Sequence, residues 1–257
     1  MPELSLETLS LGWLAVFALV MLFGGLVHGT LGLGFPLVTT PLLSLVLDVR
    51  SAILLTLLPT VCVNVVSIVR GGRWEESLGR FWPLALYALA GGVIGAQVLV
   101  VSDPRPFKLL LALLVLLYLF VSGVAGLRMP WPRTHFALSM LGFGLLAGFA
   151  AGTTNVMVPI LIVYALELEL SRRTTVQVFN MCFLVGKVSQ IAVFSVAGLL
   201  GGALLVSTAP LAAVAVASLL AGMAVRERIP TDTYRRIIRY LLGVFAALLI
   251  AQFLLDT

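Results

Sequence analysis

The sequence predicts an all-α polytopic membrane protein. Its plan is two inverted-topology repeats of about five helical elements each, with broken or re-entrant helices at the centre. Three observations predict it. Of 257 residues, 61% are hydrophobic and only 11% charged, against roughly a quarter charged in soluble domains. The mean hydropathy of +1.14 is more apolar surface than one core of this size can hide, so lipid must cover much of it. Apolar stretches near the roughly 20 residues that a spanning helix needs also recur along the chain. Lastly, glycine- and proline-rich interruptions stand at matching places in the two halves.

The elements read as follows. The segment "MPELSLETLS" has no basic residue and no small-residue cleavage site after it, so the apolar stretch 11–29 is expected to stay as a helix and not to be cleaved as a signal peptide. "HGTLGLGFPLVTTP" (His28–Pro41) then breaks the helix, because glycine and proline unsettle a regular backbone, and a short element 33–47 follows. Spans are expected at 51–69, 82–101 and 107–127. "GGVIG" (Gly91–Gly95) has no polar neighbours and reads as a close-packing face. The second half repeats the layout at 135–150, 154–167, 174–196, 203–225 and 235–255. The short elements 33–47 and 154–167 either cross at a tilt or fold back as re-entrant halves. Cys62 and Cys182 lie inside apolar runs and read as packing residues.

Charge sets the orientation. If each short element carries the chain back to the side its neighbour came from, twelve arginines, from Arg70 to Arg239, share one side, and only Arg50, Arg105 and Lys108 take the other. Positive residues concentrate on the cytoplasmic side, so both termini are expected on the outer face of a cell (inner) membrane. The net charge of +5 therefore argues for orientation and not for nucleic acid.

Residues 1–130 and 131–257 form the two expected repeats. "GLGFPLVTTP" (Gly32–Pro41) and "AGTTNVMVP" (Ala151–Pro159) align so that Gly34 matches Gly152 and Pro41 matches Pro159. Each half holds an odd number of net crossings, which inverts the second relative to the first. Gly/Pro-interrupted segments at matching positions of inverted halves point to a transporter site. Irregular backbone at membrane depth is tolerated only where protein or a watery cavity satisfies it. Close helix packing through small residues is the competing reading of these glycines.

The helix after the second break reads "TTVQVFNMCFLVGKVSQIAVF". Gln177, Asn180, Lys187 and Gln190 fall along one face at helical spacing. Lys187 is the one charged residue in the interior of an expected span, about 21 Å up the helix from Arg173 at 1.5 Å per residue. Such a lysine faces a cavity or partner, or snorkels to the surface. With no carboxylate inside any span, an anionic substrate is the partner that suits it. The matching first-half helix carries Thr56, Thr60, Asn64 and Ser67 along one face, with Pro59 among them; these donate hydrogen bonds without adding charge or serve as packing. At the breaks, Gly32 and Gly34, and Gly152, Thr153, Thr154 and Asn155, are expected to open short helices whose N-termini suit anions. His28 either relays a proton or is a hydrogen-bonded structural residue. His135 reads as interfacial.

Enzyme signatures are absent: the sequence contains no HExxH, GxSxG, P-loop or paired-carboxylate motif, and too few His and acidic residues for a metal cage. No catalysis, cofactor or metal is expected. The expected partners are a small anion and the lipid bilayer, with a homodimer left open.

"GLVHGTLGLGFPLVTTPLL" (Gly25–Leu43), "GLLAGFAAGTTNVMVPILI" (Gly144–Ile162) and the helix after each resemble the sulfite exporter TauE/SafE family over nearly the whole chain. Gly29, Gly32, Gly34 and Pro41 match the first family motif, and Gly148, Gly152 and Pro159 the second. The usual triple glycine is replaced by "GLG" and "GTTN". The resemblance implies an inner-membrane exporter of sulfite, sulfoacetate or related organosulfonates. The expected mechanism is gradient-driven, proton-coupled alternating access. The anion docks between the breaks, where Lys187 compensates its charge and Asn180, Gln177, Thr153, Thr154 and Asn64 donate hydrogen bonds. An anion channel, a transporter of another small carboxylate or oxyanion, and an accessory membrane subunit are the alternatives.

Overall fold

A computed structural model describes residues 11–72, 74–123, 131–226 and 231–255, so "MPELSLETLS" lies outside the described residues. All regular elements among these residues are helical: α1 (Leu11–Leu31), α2 (Phe35–Ser44), α3 (Val49–Gly71), α4 (Arg80–Val101, entered through a π-helical turn at Glu75–Gly79), α5 (Arg105–Gly123), α6 (Trp131–Thr134), α7 (Phe136–Thr154), α8 (Val158–Glu167), α9 (Arg172–Val196), α10 (Gly202–Val225) and α11 (Thr231–Leu255). Eight of them are long and apolar enough to cross a membrane, whereas α2 and α8 have ten residues each. Large apolar side chains such as Leu19, Phe120, Leu146 and Val206 face outward. A surface this apolar suits lipid and not water.

At about 15 Å, α2 and α8 are half the depth of a bilayer core of roughly 30 Å. Side-chain bonds to the backbone nevertheless assign the faces they join. Arg172 and Arg173 at the start of α9 reach the carbonyls of Thr30 and Gly71, at the ends of α1 and α3. Arg133, ahead of α7, bonds the Glu167 carbonyl at the end of α8. Those ends share one face of the bundle. On the other face, Arg50 at the start of α3 bonds Leu99 O and Ser102 O at the end of α4 (2.6 and 2.8 Å). Gln252 of α11 bonds Leu45 O just past α2. Each short helix with its break therefore returns the chain to the face from which its long predecessor set out.

The two halves share one register. Leu31 and Thr154 end the first long helix of each half; Phe35 and Val158 begin the short ones; Ser44 and Glu167 end them; Asp48 and Ser171 cap the next, all 123 residues apart. The cap side chains accept from Ser51 N–H and Thr174 N–H (3.0 and 3.2 Å), satisfying amides that a helix start leaves free. This register pairs Pro36, not Pro41, with Pro159: both stand in the first turn of their short helix, where the missing N–H costs nothing. The letter-for-letter alignment on Gly34 and Gly152 is thus five residues out of step with the register of the helices.

Helix pairing follows the same register, α4 on α7 and α10 on α1. Both pairs meet on small residues. A Cβ on Gly148 would lie 2.8 Å from Ala88 Cα, one on Gly152 2.6 Å from Ala96 N, and one on Gly29 2.9 Å from Gly222 Cα. Backbone-to-backbone contact of this kind is how helices associate where no hydrophobic gradient drives them. Gly148→Val is expected to lower the yield of monodisperse protein and its Tm, since overpacking costs about 1–3 kcal/mol and rigid backbone cannot yield; size-exclusion chromatography with a melting curve checks this.

Candidate functional site

The first break is a left-handed kink. Gly32 and Gly34 have φ of +85° and +106°, a region that side-chain-bearing residues avoid. No side chain of Gly34 caps α2; instead His28 Nδ1 accepts from the Phe35 N–H (3.3 Å). Its Nε2 lies 3.1 Å from Ser67 Oγ, which itself donates to Val63 O, so Nε2 carries the hydrogen. Both ring nitrogens are engaged, and the fully buried His28 pins the start of α2 to α3.

The second break lies three residues past Gly152. Gly152, Thr153 and Thr154 close α7 and do not open α8. Gly152 packs on α4, and both threonine hydroxyls donate back to carbonyls of their own helix. The break residue is Asn155, at φ +66°, the non-glycine type that best tolerates this region. Its N–H bonds Ala151 O (2.8 Å), ending α7. The helix end presented here is therefore the carbonyl end of α7, which favours positive charge.

Lys187 occupies that position. It is 3% exposed, and its ammonium donates to Asn155 Oδ1 and Gln190 Oε1. The remaining ends of these amides are also fixed. Asn155 Nδ2 donates to Thr40 Oγ1 and Thr56 Oγ1 of the first half (2.9 and 3.2 Å), and Gln190 Nε2 to Ala151 O (2.8 Å). Lys187 thus points inward and does not snorkel. Among the described residues its hydrogen-bond partners are neutral amide oxygens, with no carboxylate among them. Thr40 is the member that sequence reasoning missed. Its signal was the hydroxyl pair just before Pro41, on the short helix that the second break meets.

The polar face of α9 connects the two breaks. Gln177, one end of the stripe, donates to Ile68 O and Gly72 O at the end of α3; about 15 Å along the helix separates it from Lys187. Asn180 donates to Gly32 O at the first break (3.1 Å), while Lys187 and Gln190 reach the second. On α3, Thr56 meets Asn155, Thr60 donates to Thr56 O, and Asn64 is fully buried with neither Oδ1 nor Nδ2 partnered. The expected set therefore divides into a lysine-centred cluster at the second break and an amide-centred one at the first.

The model of one protein family, described as Sulfite exporter TauE/SafE, matches residues 17–249. Neither the curated proteins nor the solved structures yield a match to the chain.

Proposed function

Since the chain belongs to the TauE/SafE sulfite exporter family, we propose that it exports a small sulfur oxyanion or organosulfonate, such as sulfite or sulfoacetate, through an inner membrane by alternating access. The observation that carries this reading is the Lys187 ammonium, held inside the bundle on two neutral amide oxygens. Burying an uncompensated charge costs several kcal/mol, and an oxyanion arriving at Lys187 supplies the missing compensation. Charge-assisted bonds from ammonium to oxyanion are stronger than bonds to an amide, so the anion competes with Asn155 for the lysine. Releasing Asn155 frees the residue that terminates α7 and tethers the second break to Thr40 and Thr56. Binding is thereby coupled to movement of the break.

The halves act as inverted repeats that rock about the two breaks, with the arginine-rich face cytoplasmic and both termini outside. The 123-residue register and the exchanged helix pairs support that reading. An inward cation gradient drives the cycle. A proton taken up at His28 Nδ1 would remove the acceptor of the Phe35 N–H, which ties any proton coupling to movement of the first break. Purified protein in proteoliposomes is expected to accumulate labelled sulfite or sulfoacetate against its gradient. Flux that only dissipates a gradient would make it a channel, and no flux of any oxyanion would remove the transport reading. Thermal stabilisation by sulfite, sulfate, taurine, sulfoacetate and acetate, compared side by side, ranks the substrates.

A further inference from the structure

The common register makes Asn64 the counterpart of Lys187, Gly32 of Asn155, and Ser67 of Gln190, each 123 residues apart. At the second break the position is filled by a cation, the Lys187 ammonium, resting on amide oxygens beside the carbonyl end of α7. At the first break the carbonyl end of α1 is likewise present, but the equivalent side chain is a neutral amide.

That amide is an anomaly. Asn64 is fully buried, and both of its polar atoms lack a partner; a buried polar group left so costs about 1–3 kcal/mol and calls for an explanation. Asn180 Nδ2 is committed to Gly32 O and Val176 O, and its buried Oδ1, outside hydrogen-bond geometry with any donor, is the end left toward the His28 ring. Asn64 stands one turn from Ser67 on α3. Ser67 bonds His28, and the His28 ring lies against Asn180, so both orphaned amides belong to one neighbourhood. Two carbonyl oxygens against one amide nitrogen is an acceptor-rich set, which repels an anion and suits a hard cation. Arg172 reaches the Thr30 carbonyl, two residues before Gly32, from the bundle face at 3.4 Å; His28 is the titratable group of the cluster.

We propose that the first break is an alkali-cation site, for sodium above all, in which Asn64 Oδ1 and Asn180 Oδ1 hold an exchangeable ion where the second half holds the Lys187 ammonium. Discontinuous transporter helices use their carbonyl ends for such ions. Asn180 and Lys187 are seven residues apart on α9, about 10 Å along its axis, so the cation and the anion have separate sites. The ion's role as the driving cation rests on the exporter reading; its binding does not.

The test is a thermal-stability titration of the full-length protein in detergent with sodium, potassium and choline chloride, at constant ionic strength and pH 8, without any anionic substrate. Wild type is expected to gain several degrees in Tm with saturable sodium dependence and no matching effect of choline. Asn64→Ala is expected to need at least tenfold more sodium, and Asn64→Asp, which keeps the shape and adds a charge, about tenfold less. Equal responses to all three salts in wild type would overturn the site. So would a sodium response unchanged in Asn64→Asp, which also decides the matter if Asn64→Ala does not fold; water alone filling the cluster gives these results. Sodium binding without any anion flux would sink the exporter reading and leave this site standing. Anion flux that needs Lys187 in a protein indifferent to sodium does the reverse.

Discussion

Lys187→Met is expected to remove transport while leaving a protein about as stable as wild type. The side chain is buried and its ammonium has only amide oxygens for partners, so the wild-type fold carries the desolvation cost of a charge without an opposite charge to offset it. Methionine keeps the length and apolar stem and relieves that cost. It leaves Asn155 Oδ1 and Gln190 Oε1 without a donor, a penalty of about 1–3 kcal/mol for each such group. The two terms oppose each other, and Tm is expected within a few degrees of wild type. Flux has no such balance. Hydrogen bonds to a charged group contribute about 1.5–3 kcal/mol, so losing the ammonium cuts anion affinity by roughly ten- to a hundredfold and leaves nothing to neutralise the anion in the low-dielectric centre. Lys187→Arg restores charge and is expected to retain part of the flux. Measuring proteoliposome uptake beside Tm separates the outcomes. Wild-type flux in Lys187→Met would end the role assigned to this lysine, whereas a collapsed Tm would make it structural.

Much of the fold was legible because lipid enforces simple rules. A helix must be long and apolar to span, so the eight long elements could be read from the letters to within a few residues, and the two short ones from the breaks before them. The stripe Gln177–Asn180–Lys187–Gln190 was legible for the same reason: helical spacing alone puts it on one face, and it does run from one break to the other. What escaped was the location of the second break. Glycine advertises a kink, but Gly148 and Gly152 serve close packing on α4, and the left-handed residue is Asn155. Letters alone cannot separate a glycine needed for its φ from one needed for its missing Cβ. The same ambiguity displaced the repeat alignment from Pro36 to Pro41. Contacts between distant segments, such as Asn155 with Thr40 and Thr56, leave no periodic trace at all.

Asn155 is where backbone geometry and site chemistry meet, and two substitutions separate them. Asn155→Gly keeps access to the left-handed conformation at φ +66° but deletes the bonds to Thr40, Thr56 and Lys187. Asn155→Ala deletes the same bonds and, unlike glycine, keeps a Cβ in a region that costs about 1–2 kcal/mol once asparagine's local polar contacts are gone. The alanine variant is therefore expected to melt several degrees below the glycine variant, a difference that measures the strain of the break alone. Flux should fall in both, by tenfold or more, because Lys187 loses one of its two positioning oxygens and the second break loses its tether to the first half. If Asn155 acts only as a helix terminator, Asn155→Gly will transport like wild type and only the alanine variant will suffer. Asn155→Asp supplies the converse. A carboxylate within reach of Lys187 gives the ammonium an internal counter-ion, so this variant is expected to be the most stable of the series and the least able to take up an anion.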